Sequence, residues 1–221
     1  DYGLVDAPLY RDYFAKQTIK IGATLLHDKA SRNGPLGEIR LLNVAMAFSE
    51  MTVPPSEPAY RTMVESDNAA LRYYGWVGYL GIRVDVLGDA VLADTFFKDF
   101  QKALVSETSP ITLGVLFQIA DLQGDVAARL SEKNRQTAQR KFLEILRLAW
   151  DRQRQAVLDG ADADAFDAVQ TGLSAVVGLG KALGKDGKPD VAALQLLVDM
   201  LASAAKGYDA AWRQRDNIPS R

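Results

Sequence analysis

The chain has 221 residues, of which 48% are hydrophobic and 24% charged, and its formal net charge is -2 at pH 7. This length can bury a substantial core, and the composition excludes both a disordered chain and one that coats nucleic acid through excess positive charge. Cysteine is absent, which excludes disulfides, thiolate metal ligands and a cysteine nucleophile. The sequence begins at Asp1 rather than at methionine, so we expect an exported protein that has lost a leader.

The apolar residues recur at intervals of three and four along almost the whole chain, whereas alternating runs typical of strands are hard to find. We therefore predict a single all-α domain over 1–221, an antiparallel multi-helix bundle of about seven or eight helices. The predicted helices cover about 9–29, 36–51, 56–87, 90–105, 111–122, 126–158 with a break near 134, 164–183 and 191–213. Ser56 and Asp190 are predicted N-caps. The uncharged runs are shorter than the roughly 18 to 20 apolar residues of a spanning helix, so no transmembrane segment is expected.

A spacing of 36 residues separates Gly88, Gly124 and Gly160. Around the first of these glycines, Leu80-Gly81, Val84, Gly88-Asp89, Ala93 and Phe97 resemble the characteristic positions of a tetratricopeptide repeat over about twenty residues. The tryptophan stands one position early, and the units at Gly124 and Gly160 lack the alanine and the phenylalanine. The resemblance implies a short helical-hairpin array as the alternative to an irregular bundle.

The stretch "RYYGWVGYLGIR", residues 72–83, has three different faces when it is drawn as a helix. Tyr73, Val77 and Leu80 share one face, and we predict that they are core. The three glycines of the stretch share another face, where each is costly unless a neighbouring helix crosses closely. The third face carries Arg72, Trp76, Tyr79 and Arg83.

These last four residues are the candidate ligand-binding or partner-binding site. Arginine makes bidentate contacts to anions, and aromatic side chains bury large areas at low entropy cost. The alternative is a core margin, at which the polar tips of the aromatic residues meet water and the arginines pair with carboxylates.

Three other patterns have structural interpretations. "SAVVGLGKALGKDGK", from Ser174, lacks the third glycine of a dinucleotide fingerprint and the Lys-Ser/Thr of a P-loop, so it is predicted to be a helix end. The aspartates at 159, 162, 164 and 167 lack the ligand spacing of an EF-hand and are predicted to cap a helix. Lys133, Arg140, Arg147 and Arg154 repeat every seven residues, which indicates a solvated helix face or, alternatively, a face for an acidic partner or an anionic membrane.

No catalytic motif stands out in the sequence. His27 is the only histidine, no G-x-S-x-G elbow is present, and no glutamate precedes a histidine by three residues, so neither a serine triad nor a di-iron site is indicated. We expect no cofactor, no metal and no nucleic-acid partner. The favoured hypothesis is a non-enzymatic protein–protein interaction or adaptor module. The alternatives are a bundle that binds a small apolar or anionic molecule or a lipid beside Trp76, and a carboxylate-dependent enzyme.

Overall fold

The structure is a computed structural model that describes residues 7–27, 34–158 and 163–216. Within these ranges the chain forms ten α-helices, a 3-10 turn at Pro54–Ser56 and no β-strand, which confirms the predicted all-α class. The helices are α1 (Ala7–His27), α2 (Pro35–Ser49), α3 (Glu57–Val64), α4 (Ala69–Gly88), α5 (Ala90–Ser106), α6 (Pro110–Ala120), α7 (Gly124–Arg129), α8 (Glu132–Leu158), α9 (Ala163–Leu183) and α10 (Val191–Asp216).

The chain divides into two compact units, Asp1–Val86 and Leu87–Arg221. In the first unit α1 packs against α2, α3 and the 3-10 turn, and α2 packs against α3. In the second unit α9 packs against α6, α8 and α10, and α8 also contacts α5 and α10. The single domain expected over 1–221 stays a prediction.

The described ranges contain ten helices rather than the predicted seven or eight, chiefly because the helix predicted over 56–87 is two helices. The Asn68 side chain accepts hydrogen bonds from the backbone N–H groups of Ala70 (2.9 Å) and Leu71 (3.2 Å), so it caps α4 and interrupts the pattern. The break predicted near 134 separates α7 from α8 at Leu130 and Ser131, where the Ser131 hydroxyl accepts from the Asn134 N–H at 3.2 Å. Both interruptions come from short polar side chains that compete for backbone groups.

The predicted helix caps have different outcomes. Asp190 caps α10, since its carboxylate accepts from the N–H groups of Ala192 (2.9 Å) and Ala193 (3.1 Å). Ser56 makes no capping hydrogen bond, so that prediction is wrong. The preceding Pro54–Ser56 turn already gives Ser56 helical dihedral angles, whereas a capping residue needs an extended backbone. The boundary between the predicted helices 56–87 and 90–105 is confirmed at Gly88-Asp89, where the Asp89 side chain caps α5 by accepting from the N–H groups of Val91 and Leu92.

An aromatic cluster forms the core of the second unit where α5 crosses α8. Phe96, Phe97 and Phe100 of α5 surround Phe142 of α8, with ring centroids 5.1 to 6.3 Å from it. Edge-to-face rings at this spacing contribute beyond the area that they bury. Gly160 lies outside the described residues, so the 36-residue repeat stays a prediction.

The glycine face of α4 packs against α3, as the sequence predicts. A Cβ atom on Gly75 would lie 2.7 Å from Cγ1 of Val64, and one on Gly78 would overlap the Tyr60 ring. The predicted core stripe of α4 is wrong, however. Tyr73, Val77 and Leu80 are only half-buried, whereas the buried side chains include Trp76, Tyr79, Ile82 and Val86. The face of Tyr73 and the face of Trp76 are both apolar enough to be core, and the position of α3 determines which of the two is buried.

Candidate functional site

Two of the four predicted site residues lie in the interior of the first unit. Trp76 and Tyr79 are fully buried, and their ring centroids are 5.4 Å apart. Tyr79 also meets Tyr60 of α3 edge-on, at 5.8 Å. These two aromatic side chains present no surface to a ligand in this conformation. The binding role of the four residues therefore stays a prediction, and it requires the neighbouring side chains to move away from Trp76 and Tyr79.

The two predicted arginines are half-buried on the same helix. The Arg72 guanidinium donates to the backbone carbonyls of Ser66 (3.1 Å) and Asp67 (2.9 Å), in the loop between α3 and α4. Arg72 thus stabilises the loop that separates the two helices. Arg83 lies three turns further along α4, so a single small ligand would not span both cations.

A buried carboxylate explains how the Tyr79 hydroxyl is accommodated in the core. Oε1 of Glu57 accepts from the Tyr79 hydroxyl at 2.8 Å and from the Arg61 guanidinium at 2.7 Å. Burial, and then the Glu57 charge, raise the pKa of Tyr79 above its ordinary value of 10.0. Burial likewise raises the pKa of Tyr60, whose hydroxyl donates to the Phe48 carbonyl at 2.9 Å. This cluster is closed and hydrogen-bonded, and it ties α4 to α3 and α2.

The first unit also exposes a set of large apolar side chains on the outside of α1 and α2. We call this set the outer surface of the α1–α2 hairpin. Its members are Leu9, Tyr10, Tyr13, Phe14 and Ile21 of α1, and Leu36, Ile39 and Met46 of α2. Each is about half exposed or more, and Ile21 reaches 70%. Soluble proteins scatter single apolar residues over their surface, whereas an ordered group marks an interaction site.

The order within this surface follows from the helix period of about 100° per residue. Tyr10, Phe14 and Ile21 fall within one narrow sector of α1, and Tyr13 borders it, whereas Leu9 lies about 100° or more from that sector. The buried residues Ala15 and Leu26 point to the opposite side. On α2 the same opposition separates the exposed Ile39 and Met46 from the buried Leu41 and Phe48. Each helix therefore has one apolar side in the core and a second apolar side in solvent.

The charges beside the outer surface are mainly positive. Lys16 and Lys20 are exposed on α1 next to the sector of Tyr13, and Arg40 is exposed on α2 next to Leu36. Over the described part of the chain, no carboxylate lies within ion-pair distance of these three cations. The surface thus combines an apolar stripe with a basic border.

A separate cavity of about 480 Å³ lies in the second unit between the end of α9 and the start of α10. We call it the α9–α10 cavity. Its apolar wall comes from Val176 and Val177 of α9 and from Ala193, Leu194 and Leu197 of α10. The cavity is also lined by Gly180, Gly184, Gly187 and Pro189, and among the described lining residues the charged side chains are those of Lys181 and Lys188.

A tight hairpin turn shapes this cavity. Lys185 and Lys188 exchange both backbone hydrogen bonds, at 3.0 and 2.9 Å, around Asp186 and Gly187. Both central residues have positive φ, 51° and 72°, which is the geometry of a two-residue type I′ turn and explains the Asp-Gly pair. At Gly184, a Cβ atom would collide with the Lys188 carbonyl. The predicted helix end is confirmed, because α9 ends at Leu183 and the glycines that follow belong to the turn.

The other sequence candidates can be placed only in part. The predicted basic face of α8 is exposed, and Arg154 pairs with Asp199 of α10 at 3.2 Å. His27 ends α1, but its side chain is not among those described, and neither are the side chains of the four aspartates predicted to cap a helix, at 159, 162, 164 and 167. In the described ranges, no group of three or more histidines and acids could hold a metal ion, and no helix is long and apolar enough to cross a membrane.

Sequence reasoning missed both the outer surface and the cavity. Apolar spacing of three and four occurs in α1 on two sides, and the pattern does not say which side meets a neighbour.

The comparisons with family models, with curated proteins and with solved structures found no match to this chain.

Proposed function

We propose that the protein is a non-enzymatic protein–protein interaction module that binds an amphipathic helix of an acidic partner on the outer surface of the α1–α2 hairpin. The observation that carries the proposal is the second apolar side of both helices. A side of this kind is costly in water unless something covers it.

The composition of the surface favours a protein partner over a lipid surface. Tyrosine, phenylalanine, methionine and arginine are enriched in protein interfaces, and Tyr10, Tyr13 and Phe14 lie together on α1. The exposed polar residues Gln17 and Asn43 fall within the apolar sectors. Partner groups can hydrogen-bond to these amides, whereas hydrocarbon cannot.

The basic border selects the charge of the partner. Lys16, Lys20 and Arg40 stand beside the apolar sectors, and acidic residues flanking the apolar stripe of a docked helix would lie opposite them. Such border charges mainly increase the association rate and the specificity, since solvent screens them. The affinity would come from the aromatic side chains, which bury the largest area.

Site-specific photo-cross-linking in the source cell tests this proposal. A photoreactive phenylalanine analogue replaces Tyr13 or Ile39 in turn, and the control position is Glu38, which is exposed on α2 but lies about 80° or more from the apolar sector. We expect a discrete protein adduct from the first two positions and none from the control. The adduct should disappear in a Tyr10→Ser, Phe14→Ser variant, and its cross-linked segment should be an amphipathic helix with acidic borders.

The other outcomes would contradict the proposal. Adducts with lipid would assign the surface to a membrane, and adducts only between copies of this chain would assign it to self-association. Equal labelling at all three positions, or no labelling, would mean that the surface is not a docking site. Thermal melts of each variant verify the fold, because substitutions at such exposed positions normally change stability by less than about 0.5 kcal/mol.

A further inference from the structure

We propose that the α9–α10 cavity binds a small amphipathic anion, with its aliphatic tail against the apolar wall and its anionic head between Lys181 and Lys188. This site lies in the second unit, and it is independent of the partner surface proposed above.

The size and the lining of the cavity suit a small molecule. A volume of about 480 Å³ falls in the range of roughly 300 to 1,000 Å³ that ligand sites occupy. The wall is made of valine, alanine and leucine side chains from two helices, while the polar groups are concentrated at the hairpin. A ligand that fits both parts has one apolar end and one polar end.

The charge of the polar end follows from the lysines. Within the described residues, no carboxylate forms an ion pair with Lys181 or Lys188. The Asp190 carboxylate is engaged by two backbone N–H groups of α10, and Asp186 is exposed at the tip of the turn and does not line the cavity. Neither lysine is therefore engaged in an ion pair with a described carboxylate, which leaves both ammonium groups available to an anionic head group.

The local backbone holds the two lysines in place. Lys181 belongs to the last turn of α9, and Lys188 is fixed by the paired backbone of the hairpin turn. The Asp190 N–H donates to the Gly180 carbonyl at 2.9 Å, which closes the loop against the helix end. The cavity is thus preformed, which lowers the entropy cost of binding.

Calorimetric titration with octanoate tests the proposal, and octan-1-ol and octylammonium serve as the neutral and the cationic probe of equal tail length. We expect octanoate to bind more tightly than either. Lys181→Gln and Lys188→Gln should each weaken octanoate binding about fivefold, the size expected when one partly exposed charge pair is lost. Leu194→Gln should weaken binding of all the probes that bind, because it removes part of the wall.

Lys185→Gln is the matched control, because Lys185 stands in the same turn but does not line the cavity. It should bind octanoate like the unmodified protein. Flotation with phosphatidylglycerol vesicles, compared with phosphatidylcholine vesicles, shows whether the same head-and-tail chemistry is also taken from a lipid. Binding to either anionic probe that is lost in the Lys181→Gln, Lys188→Gln double variant supports the site. No binding of either probe, equal binding of octan-1-ol, or equal loss in Lys185→Gln would overturn it.

Discussion

The close approach of α3 to α4 makes a specific prediction for Gly78→Ala. The new Cβ atom would lie 2.5 Å from Cδ1 and 2.7 Å from Cζ of the Tyr60 ring. That ring cannot easily move away, because its hydroxyl donates to the Phe48 carbonyl at 2.9 Å and the ring packs against Tyr79, with centroids 5.8 Å apart. The helices must therefore separate, or the hydrogen bond must break.

The expected change in the free energy of unfolding of Gly78→Ala is the sum of two opposing contributions. Forcing an extra methyl group into a packed core costs about 1 to 3 kcal/mol. Alanine in place of glycine inside a helix stabilises the folded state by up to about 1 kcal/mol. We expect Gly78→Ala to lower the free energy of unfolding by about 1 to 2 kcal/mol. Gly88→Ala, near the end of the same helix, meets no atom within 4 Å, and it should leave stability unchanged or slightly raised.

Urea denaturation followed by far-ultraviolet circular dichroism measures both variants. A double-mutant cycle with Tyr60→Leu isolates the collision, since Gly78→Ala should cost less when the ring is absent. The reasoning would be refuted if Gly78→Ala were as stable as Gly88→Ala, or if Tyr60→Leu did not reduce its cost.

Two further predictions concern the core tyrosines and a helix cap. Burial raises the pKa values of Tyr60 and Tyr79 above 10.0 in the folded protein, so the unfolded chain loses these protons first and the free energy of unfolding should fall as the pH rises above 10. Urea denaturation across this pH range should show a smaller fall for Tyr79→Phe than for the unmodified protein. An unchanged fall would contradict the burial argument. Asp190→Ala removes two capping hydrogen bonds from α10 and should cost about 0.5 to 2 kcal/mol, whereas Asp186→Asn, at the exposed tip of the same loop, should be nearly neutral in thermal melts.

The features that were predictable from sequence depend on residues close together in the chain. The helical class follows from the spacing of apolar residues, and the joint at Gly88-Asp89 and the cap at Asp190 depend on backbone groups two or three positions away. The identity of the core side of α4 depends instead on Glu57, which is 22 residues from Tyr79. In the sequence, the hydroxyl of Tyr79 indicates a position at the solvent-exposed edge of the core, because its acceptor, Glu57, is distant along the chain.

The size of the side chains carries orientation information that hydrophobicity alone does not. On α4 the glycines face α3, and on α1 the buried side holds Ala15 and Gly22, the latter against Phe48 of α2. Small residues allow helix backbones to approach closely, so they mark the side on which a neighbour already packs. The opposite side of α1 carries the large residues Tyr10 and Tyr13, which the packing of the helices does not use. Residue size therefore separates the side of α1 that is used for packing from the side that we propose is used for binding.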